Sequence, residues 1–285
     1  MLSVILREIF GHREFPREPE PDLVMTDEDQ VLAYETAGRT DGVMAASYLF
    51  HAARISMVIQ GSATIIDLAC GPATQLALVA ELNPAISFVG IDYSETMLKS
   101  AEAYIKEKKL NNVVFEKGDI SNLGQIPKNS ADGIISTMAL HHLPTLAHLE
   151  LCFKEIKRVL KPGGALYLVD FGRLKHLKSV LYFAYMNRKH QPHIFSLDYE
   201  RSLRASFLKK DFHGLAKSYL PDYECISTCL IPLLVIIKSP DAKIAQETLK
   251  RIKSAREALS PKYRRILDDM RLFLRIGGMK NDPFK

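Results

Sequence analysis

From Ala63 onward, short apolar runs alternate with segments of helical periodicity. The runs are Ala63–Ala69, Ser87–Ile91, Asn112–Glu116, Gly133–Met138 and Ala165–Val169. Each is short and apolar on both faces, as strands of a sheet covered on both sides must be. Helices are predicted between them at Thr74–Glu81, Glu95–Lys108 and Leu146–Leu160. After a long helical stretch, Tyr199–Tyr219, two further runs at Tyr223–Thr228 and Leu230–Lys238 are close enough to pair as a hairpin. The pattern predicts an α/β fold: a doubly wound, mostly parallel seven-stranded sheet that ends in an antiparallel hairpin.

Upstream of Ala63 the rhythm differs. Gly11–Asp22 is rich in proline and charge and reads as an extended linker. Thr26 with Asp29 resembles a capping box, opening a helix over about Asp27–Ala37 that Gly38 closes. A second helix is expected from Val43 to Gln60, with Asp41 near its start and Gly61 at its end. Met1–Leu6 has no basic leader and its apolar run stops at Arg7 and Glu8, so no cleaved signal peptide is expected. The chain thus divides into N-terminal helices and linker (1–60), a core (61–238, with an insertion at about 174–198) and a mostly helical tail (239–285).

Composition narrows the class. With 285 residues, 47% hydrophobic and 25% charged, the chain can bury a sizeable core and is not a disordered or repetitive polymer. The longest apolar run, Cys229–Ile237, falls far short of the ~20 residues that span a bilayer, so no membrane span is expected. Cys70, Cys152, Cys225 and Cys229 form neither a disulfide framework nor a zinc pattern, which points to a reducing, cytoplasmic setting. The net charge of +5 is unevenly spread. Residues 1–60 contain five arginines and no lysine against ten acids, whereas Lys238–Lys285 holds thirteen basic residues against six acids. Such opposed ends attract within a chain or across a homodimer, and a basic tail also suits an anionic partner.

Chemistry concentrates at the strand ends. The first strand runs into Asp67-Leu68-Ala69-Cys70-Gly71-Pro72-Ala73 and then a helix. Small residues at 69, 71 and 73 allow a tight turn and close approach to a ligand beside the free N–H groups of a helix start. Only one glycine of the dinucleotide fingerprint G-x-G-x-x-G is present, so pyrophosphate binding is weakly supported. The second strand ends in Asp92, 21 residues beyond Gly71. That spacing is close to the ~20 residues expected for a carboxylate that holds ribose hydroxyls, and with the turn after the first strand it favours nucleoside binding over the alternative that Asp92 only caps the next helix.

At this point the chain resembles the class I S-adenosylmethionine-dependent methyltransferases, a Rossmann-like family, over about Ala63–Phe171. Ile65–Thr74 resembles that family's first motif and Gly90-Ile91-Asp92-Tyr93-Ser94 its second. Phe115–Ile120, Asp132–Leu143 and Arg158–Gly164 resemble the next three, in the expected order. The departure is alanine at 69 and 73, where glycine is common. The resemblance implies S-adenosyl-L-methionine as cofactor and S-adenosyl-L-homocysteine as product. It implies that Asp67 anchors the cofactor's amino group, while Ala69 and Gly71 border its methionine portion. Asp92 would take the ribose hydroxyls, Tyr93 and Met97 would pack on adenine, and Asp119 with the Ile120 N–H would meet the adenine edge. Thr137 and Met138 would line the methionine end. The N-terminal helices (Tyr34, Met44, Tyr48, Phe50, His51) would form a lid, with Tyr34 reaching the bound donor. His142 is the candidate general base, His141 its alternate, and Asp170 a second polar group for the substrate wall.

Acceptor choice lies in the additions to such a sheet. The insertion interleaves aromatics and methionine (Tyr182, Phe183, Tyr185, Met186) with Arg173, Lys175, Lys178, Arg188 and Lys189. His190-x-x-His193 lacks a third ligand and is interrupted by Pro192, so no metal is expected. The reading is an enzyme that methylates O or N of a small molecule. The alternatives are an RNA or protein acceptor, with nucleic acid less favoured because no RNA-binding module is visible, or a cofactor-binding scaffold without transfer activity.

Overall fold

The alternation of short apolar runs and helices closes into a single sheet in the computed structural model, which describes residues 2–11, 15–20 and 42–285. The helix expected over Asp27–Ala37, and Tyr34 within it, lie outside those residues. The strands are β1 (Thr64–Leu68), β2 (Ser87–Asp92), β3 (Val113–Lys117), β4 (Ala131–Thr137), β5 (Leu160–Phe171), β6 (Glu224–Ser227) and β7 (Leu234–Lys238), in the order β3-β2-β1-β4-β5-β7-β6. The first five are parallel. β7 inserts antiparallel between β5 and β6, so the terminal hairpin closes the sheet as the pattern predicted.

The helices are α1 (Leu2–Phe10), α2 (Ala45–Val58), α3 (Thr74–Leu82), α4 (Glu95–Glu107), α5 (Leu146–Val159), α6 (Leu177–Tyr185), α7 (His193–Ala205), α8 (Lys209–Tyr219), α9 (Gln246–Ala258) and α10 (Pro261–Ile276). Local chemistry sets several of their starts. Ser94 accepts from the Met97 N–H at α4, Thr145 from His148 at α5, and Ser260 from Tyr263 at α10, where Pro261 fits the first turn. Two cores flank the sheet. Ile65 and Phe88 pack against α2, α3 and α4 on one face, and Ile66 and Leu68 against α5 and α8 on the other.

Four expectations change. The single helix over Tyr199–Tyr219 is two, because Ser206–Leu208 is extended and the Leu208 N–H donates to Asp211 Oδ2 at 3.0 Å to open α8. The second N-terminal helix is built into the core. Nearly all of α2 is buried in the core, where Nδ1 of His51 meets the Tyr167 hydroxyl at 2.8 Å. Burial together with Arg54 holds that imidazole down at about 3. Part of the supposed linker is a fixed strap. Arg17 donates to the carbonyls of His141, Leu143, Pro144 and Ala205 and stacks over Phe207, with its charge centre 3.9 Å from the ring. Residues beyond 238 share the main core as well. Ile252, Leu259, Leu267 and Leu274 are buried in it, and the buried Arg54 of α2 donates to the carbonyls of Lys280 and Asn281 and pairs with Asp241.

Candidate functional site

In this order of strands the chain leaves β1 toward β2 on one side and returns through β4 on the other. Open α/β sheets bind ligands at such a switch point, outside the carboxyl ends of the strands. A cavity of about 280 Å³ lies there, lined from the ends of β1, β2, β3 and β4.

The turn after β1 shapes its floor. Ala69, Gly71 and Ala73 all have left-handed backbone (φ 55°, 54° and 59°), which curls the chain sharply into α3. The Cys70 N–H donates to the Ile91 carbonyl at 3.0 Å and ties this turn to β2. Asp92 completes the link: Oδ2 accepts from the Gly71 N–H at 2.8 Å and Oδ1 from the Ser94 N–H at 2.9 Å. Burial raises the Asp92 carboxyl above the usual range, against the pull of those two N–H groups. Side-chain-free backbone is required next to it. A Cβ on Gly90 would lie 2.7 Å from the Phe115 ring and 2.8 Å from Cys70 Sγ.

The cavity brings together Ala69, Gly71, Asp92, Tyr93, Met97, Asp119, Ile120, Thr137, Met138 and His142. Tyr93 stands at the rim, 58% exposed, whereas Met97 is buried. Asp119 is shaped by its own turn, Oδ1 accepting from both the N–H and the hydroxyl of Ser121. Asp67 is not part of the lining. It is buried within β1, where loss of solvent and the Asp92 charge push its carboxyl well above the usual range. Sequence reasoning did not single out Thr74, Gln75, Ser121 or His148 for the lining, and it placed Tyr48 only in a lid. Thr74 and Gln75 had a readable signal, since they open the helix after β1; Tyr48 arrives through tertiary packing of α2, which no local pattern announces.

Two cavity-lining groups are buried without hydrogen-bond partners, Thr74 Oγ1 and Gln75 Oε1. Buried polar atoms are rarely left so. Together they offer a hydroxyl donor and an amide acceptor at the start of α3, beside a glycine whose missing Cβ faces open space. A zwitterionic amino-acid end fits that combination: carboxylate toward Thr74 and the helix start, ammonium toward Gln75. Asp92 retains acceptor capacity for a diol, because an ionised carboxylate has about four lone-pair sites and two are used. The lining therefore fits S-adenosylmethionine: Thr74, Gln75 and Gly71 would meet its methionine end, Asp92 its ribose, and Met97, Asp119 and Ile120 its base.

The opposite wall is an acid–imidazole cluster. A short 3₁₀ turn, Leu140–His142, follows β4. The buried His141 is held from behind, its backbone N–H donating to Asp170 Oδ2 at 2.8 Å and its Nδ1 to Oδ1 at 2.7 Å. Asp170 is 1% exposed beneath that ring, so it orients His141 and is not part of a substrate wall. His142 lines the cavity, and its Nδ1 sits 3.0 Å from Glu20 Oε2 of the strap. Ser202 of α7 donates to the other oxygen of Glu20 at 3.0 Å. Burial would raise the Glu20 carboxyl, but the contacts to His142, His141 and Ser202 override it and hold the group down at about 2. His142 responds in the opposite sense: burial alone would lower it, while Glu20 first, then Asp198 and Asp170, raise it above its ordinary value. Asp198 is driven up to about 6 by burial and by the Glu20 charge. Among the described residues, Glu20, His141 and His142 are the group whose ligand atoms come within 4.8 Å of one another, as an ion would require; His190 and His193 form no such group. Glu20 carries no local sequence signal, being one of several acids in a proline-rich stretch.

Comparison with known proteins identifies the family. A family model described as a methyltransferase domain matches residues 59–225. A demethylmenaquinone methyltransferase of Listeria welshimeri is 34% identical over 115 residues, 40% of this chain and 47% of that protein. One from Staphylococcus carnosus is 33% identical over 110 residues, 38% and 43% of the two chains. The chain thus matches about half the length of these relatives. Among solved structures, an S-adenosylmethionine-dependent methyltransferase described as putative, from Methanococcus maripaludis, superposes with a TM-score of 0.56 at 23% identity, covering 80% of this chain and 99% of its own. The plantazolicin methyltransferase BamL, solved with S-adenosylhomocysteine, gives 0.55 at 14% identity over 90% and 86% of the chains. At these identities the likeness is one of fold.

Proposed function

The chain belongs to the methyltransferase domain family, and we propose that it is an S-adenosylmethionine-dependent enzyme that methylates a small, apolar acceptor whose proton is removed by His142. The observation that carries this reading is the cavity-lining imidazole with Glu20 on its Nδ1. An Nδ1–H held by a carboxylate leaves Nε2 as the basic nitrogen of the neutral ring. Glu20 raises the basicity of that ring and fixes its plane.

When bound, S-adenosylmethionine supplies a methyl group already activated by its sulfonium. The protein's task is alignment and, for a hydroxyl or protonated amine, removal of one proton. Asp92 would hold the donor's ribose, and Thr74 and Gln75 its methionine end. Met138, Leu143 and Pro144 give the acceptor side an apolar wall, which supports an apolar acceptor over a nucleic acid. The names of the relatives point the same way, since demethylmenaquinone is an apolar quinone. His142 serves a phenol or quinol equally well: the anion it generates attacks through oxygen or, by resonance, through a ring carbon.

The test is turnover of a pool of phenols, quinols and amines with label carried on the donor methyl. His142→Ala should lower kcat by about 10²–10⁴-fold, the usual range for a general base, while leaving the affinity for S-adenosylhomocysteine unchanged. Turnover unaffected by the substitution would remove His142 from the chemistry, and methylation of RNA in place of the pool would overturn the acceptor class.

A further inference from the structure

Helix α1 lies outside the segment that matches the family model and carries apolar residues on two sides. Val4 and Glu8 turn inward, with Glu8 Oε2 accepting from the Lys175 N–H at 2.8 Å just ahead of α6. Leu2, Leu6, Ile9 and Phe10 turn outward, Leu2 70% and Phe10 69% exposed. Their spacing (i, i+4, i+7, i+8) places them on a single face of the helix. Helix α6, against which α1 packs, exposes Leu177 and Leu181 in the same i, i+4 relation. Scattered exposed leucines need no explanation; apolar stripes on two helices that pack together do.

The charge around these stripes identifies what they meet. No Asp or Glu occurs between Asp170 and Asp198, a stretch that holds α6 and supplies Lys175, Lys178, Arg188 and Lys189. Lys178, Arg188 and Lys189 are exposed. A second copy of the chain docking here by two-fold symmetry would set this positive field against itself. An apolar helix face in a basic field matches the boundary between headgroups and acyl chains of an anionic bilayer.

We propose that α1 and α6 form a docking surface for anionic lipid bilayers, with α1 lying in the plane of the headgroups and Leu2, Leu6 and Phe10 entering the acyl boundary. Because α6 follows the carboxyl end of β5, docking holds the cavity end of the sheet close to the lipid. This surface is independent of which acceptor the cavity takes, and the test needs no turnover.

The full-length protein is sedimented with vesicles of phosphatidylcholine containing about one third phosphatidylglycerol, and with phosphatidylcholine alone. It should partition onto the first much more than the second, and added salt should release it. Leu6→Ser with Phe10→Ser should reduce partition at least about tenfold, from the loss of two inserted side chains. Lys178→Glu with Arg188→Glu should do the same, at roughly fivefold per charge removed. Both variants should keep the wild-type melting temperature and affinity for S-adenosylhomocysteine. Equal partition onto both vesicle types, or variants that bind as well as wild type, would overturn the proposal. So would a wild-type dimer that Leu6→Ser with Phe10→Ser converts to monomer without any vesicle binding, since the stripe would then be covered by a second copy.

Discussion

Ala69 and Ala73 hold a backbone conformation that costs an L-residue about 1–2 kcal/mol and glycine almost nothing. Met138, after β4, does the same at φ 53°. Two of the three, Ala69 and Met138, line the cavity, and Ala73 is the residue before α3; Lys109, Asn129, Leu230 and Asn281 share the conformation elsewhere. Ala69→Gly should therefore stabilise the fold by about 0.5–1 kcal/mol, after subtraction of glycine's larger unfolded-state entropy. A rise in melting temperature of about 2 °C is expected, and a fall would show that the Cβ of Ala69 contributes packing greater than its strain. At Asp92 the expectation concerns binding. Asp92→Ala should weaken S-adenosylhomocysteine by about 1.5–3 kcal/mol, the range for hydrogen bonds to a charged group, read by calorimetry on protein that still melts cooperatively. This part of the site was legible in the sequence. Strand ends and helix starts are local features, and Gly71, Asp92 and Asp119 each sit at one.

Elements that meet across the chain were not legible in that way. The strap of residues 15–20 delivers Glu20 to His142, and only the folded protein shows that a charged, proline-rich stretch is anchored by a guanidinium. The pair makes a pH signature. Glu20 drops from an ordinary value of 4.5 to about 2, so its contribution to stability is present above pH 4.5 and is lost as pH falls toward 2. His142 is raised above 6.5, so its contribution is full below 6.5 and fades as pH climbs through the raised value. Both act together only between about pH 4.5 and 6.5. The melting-temperature gap between wild type and Glu20→Gln should be widest in that window and narrow on either side. A gap constant with pH would mean that the pair is not ionic. In turnover, loss of Glu20 should move the acid limb of the kcat/KM profile to lower pH, because His142 then surrenders its proton more readily. The helix at residues 2–10 was missed because its apolar start reads first as a failed leader segment, although Leu2, Leu6, Ile9 and Phe10 hold helical spacing.

At the scale of the whole molecule, the alternating rhythm from Ala63 to Lys238 was enough to specify seven strands and their antiparallel ending, because each run is a local feature; their order is not, since β4 pairs with β1 and β7 inserts between β5 and β6. The expected appendix after residue 238 is instead part of the same body. Lys238 Nζ is buried and bound to Asp241 at 2.9 Å, and Asp241 also meets Arg54 at 3.6 Å. Arg54→Ala should cost about 3 kcal/mol or more in chemical denaturation, as buried charges and carbonyls lose a partner. Removing residues 239–285 should abolish cooperative unfolding. A truncated chain that melts sharply and binds S-adenosylhomocysteine would show that the sheet is self-sufficient.

The strap also bears on the order in which the molecule assembles. Arg17 is joined to Ala205 across 188 residues of chain, and closing a loop of that size is slow and brings no return until both ends are in place. On the ribosome, the segment made first must wait until α7 has emerged before Glu20 can reach His142. The acid–imidazole pair therefore cannot be set before α7 is made, and closure of the strap belongs with the late, long-range contacts of the fold.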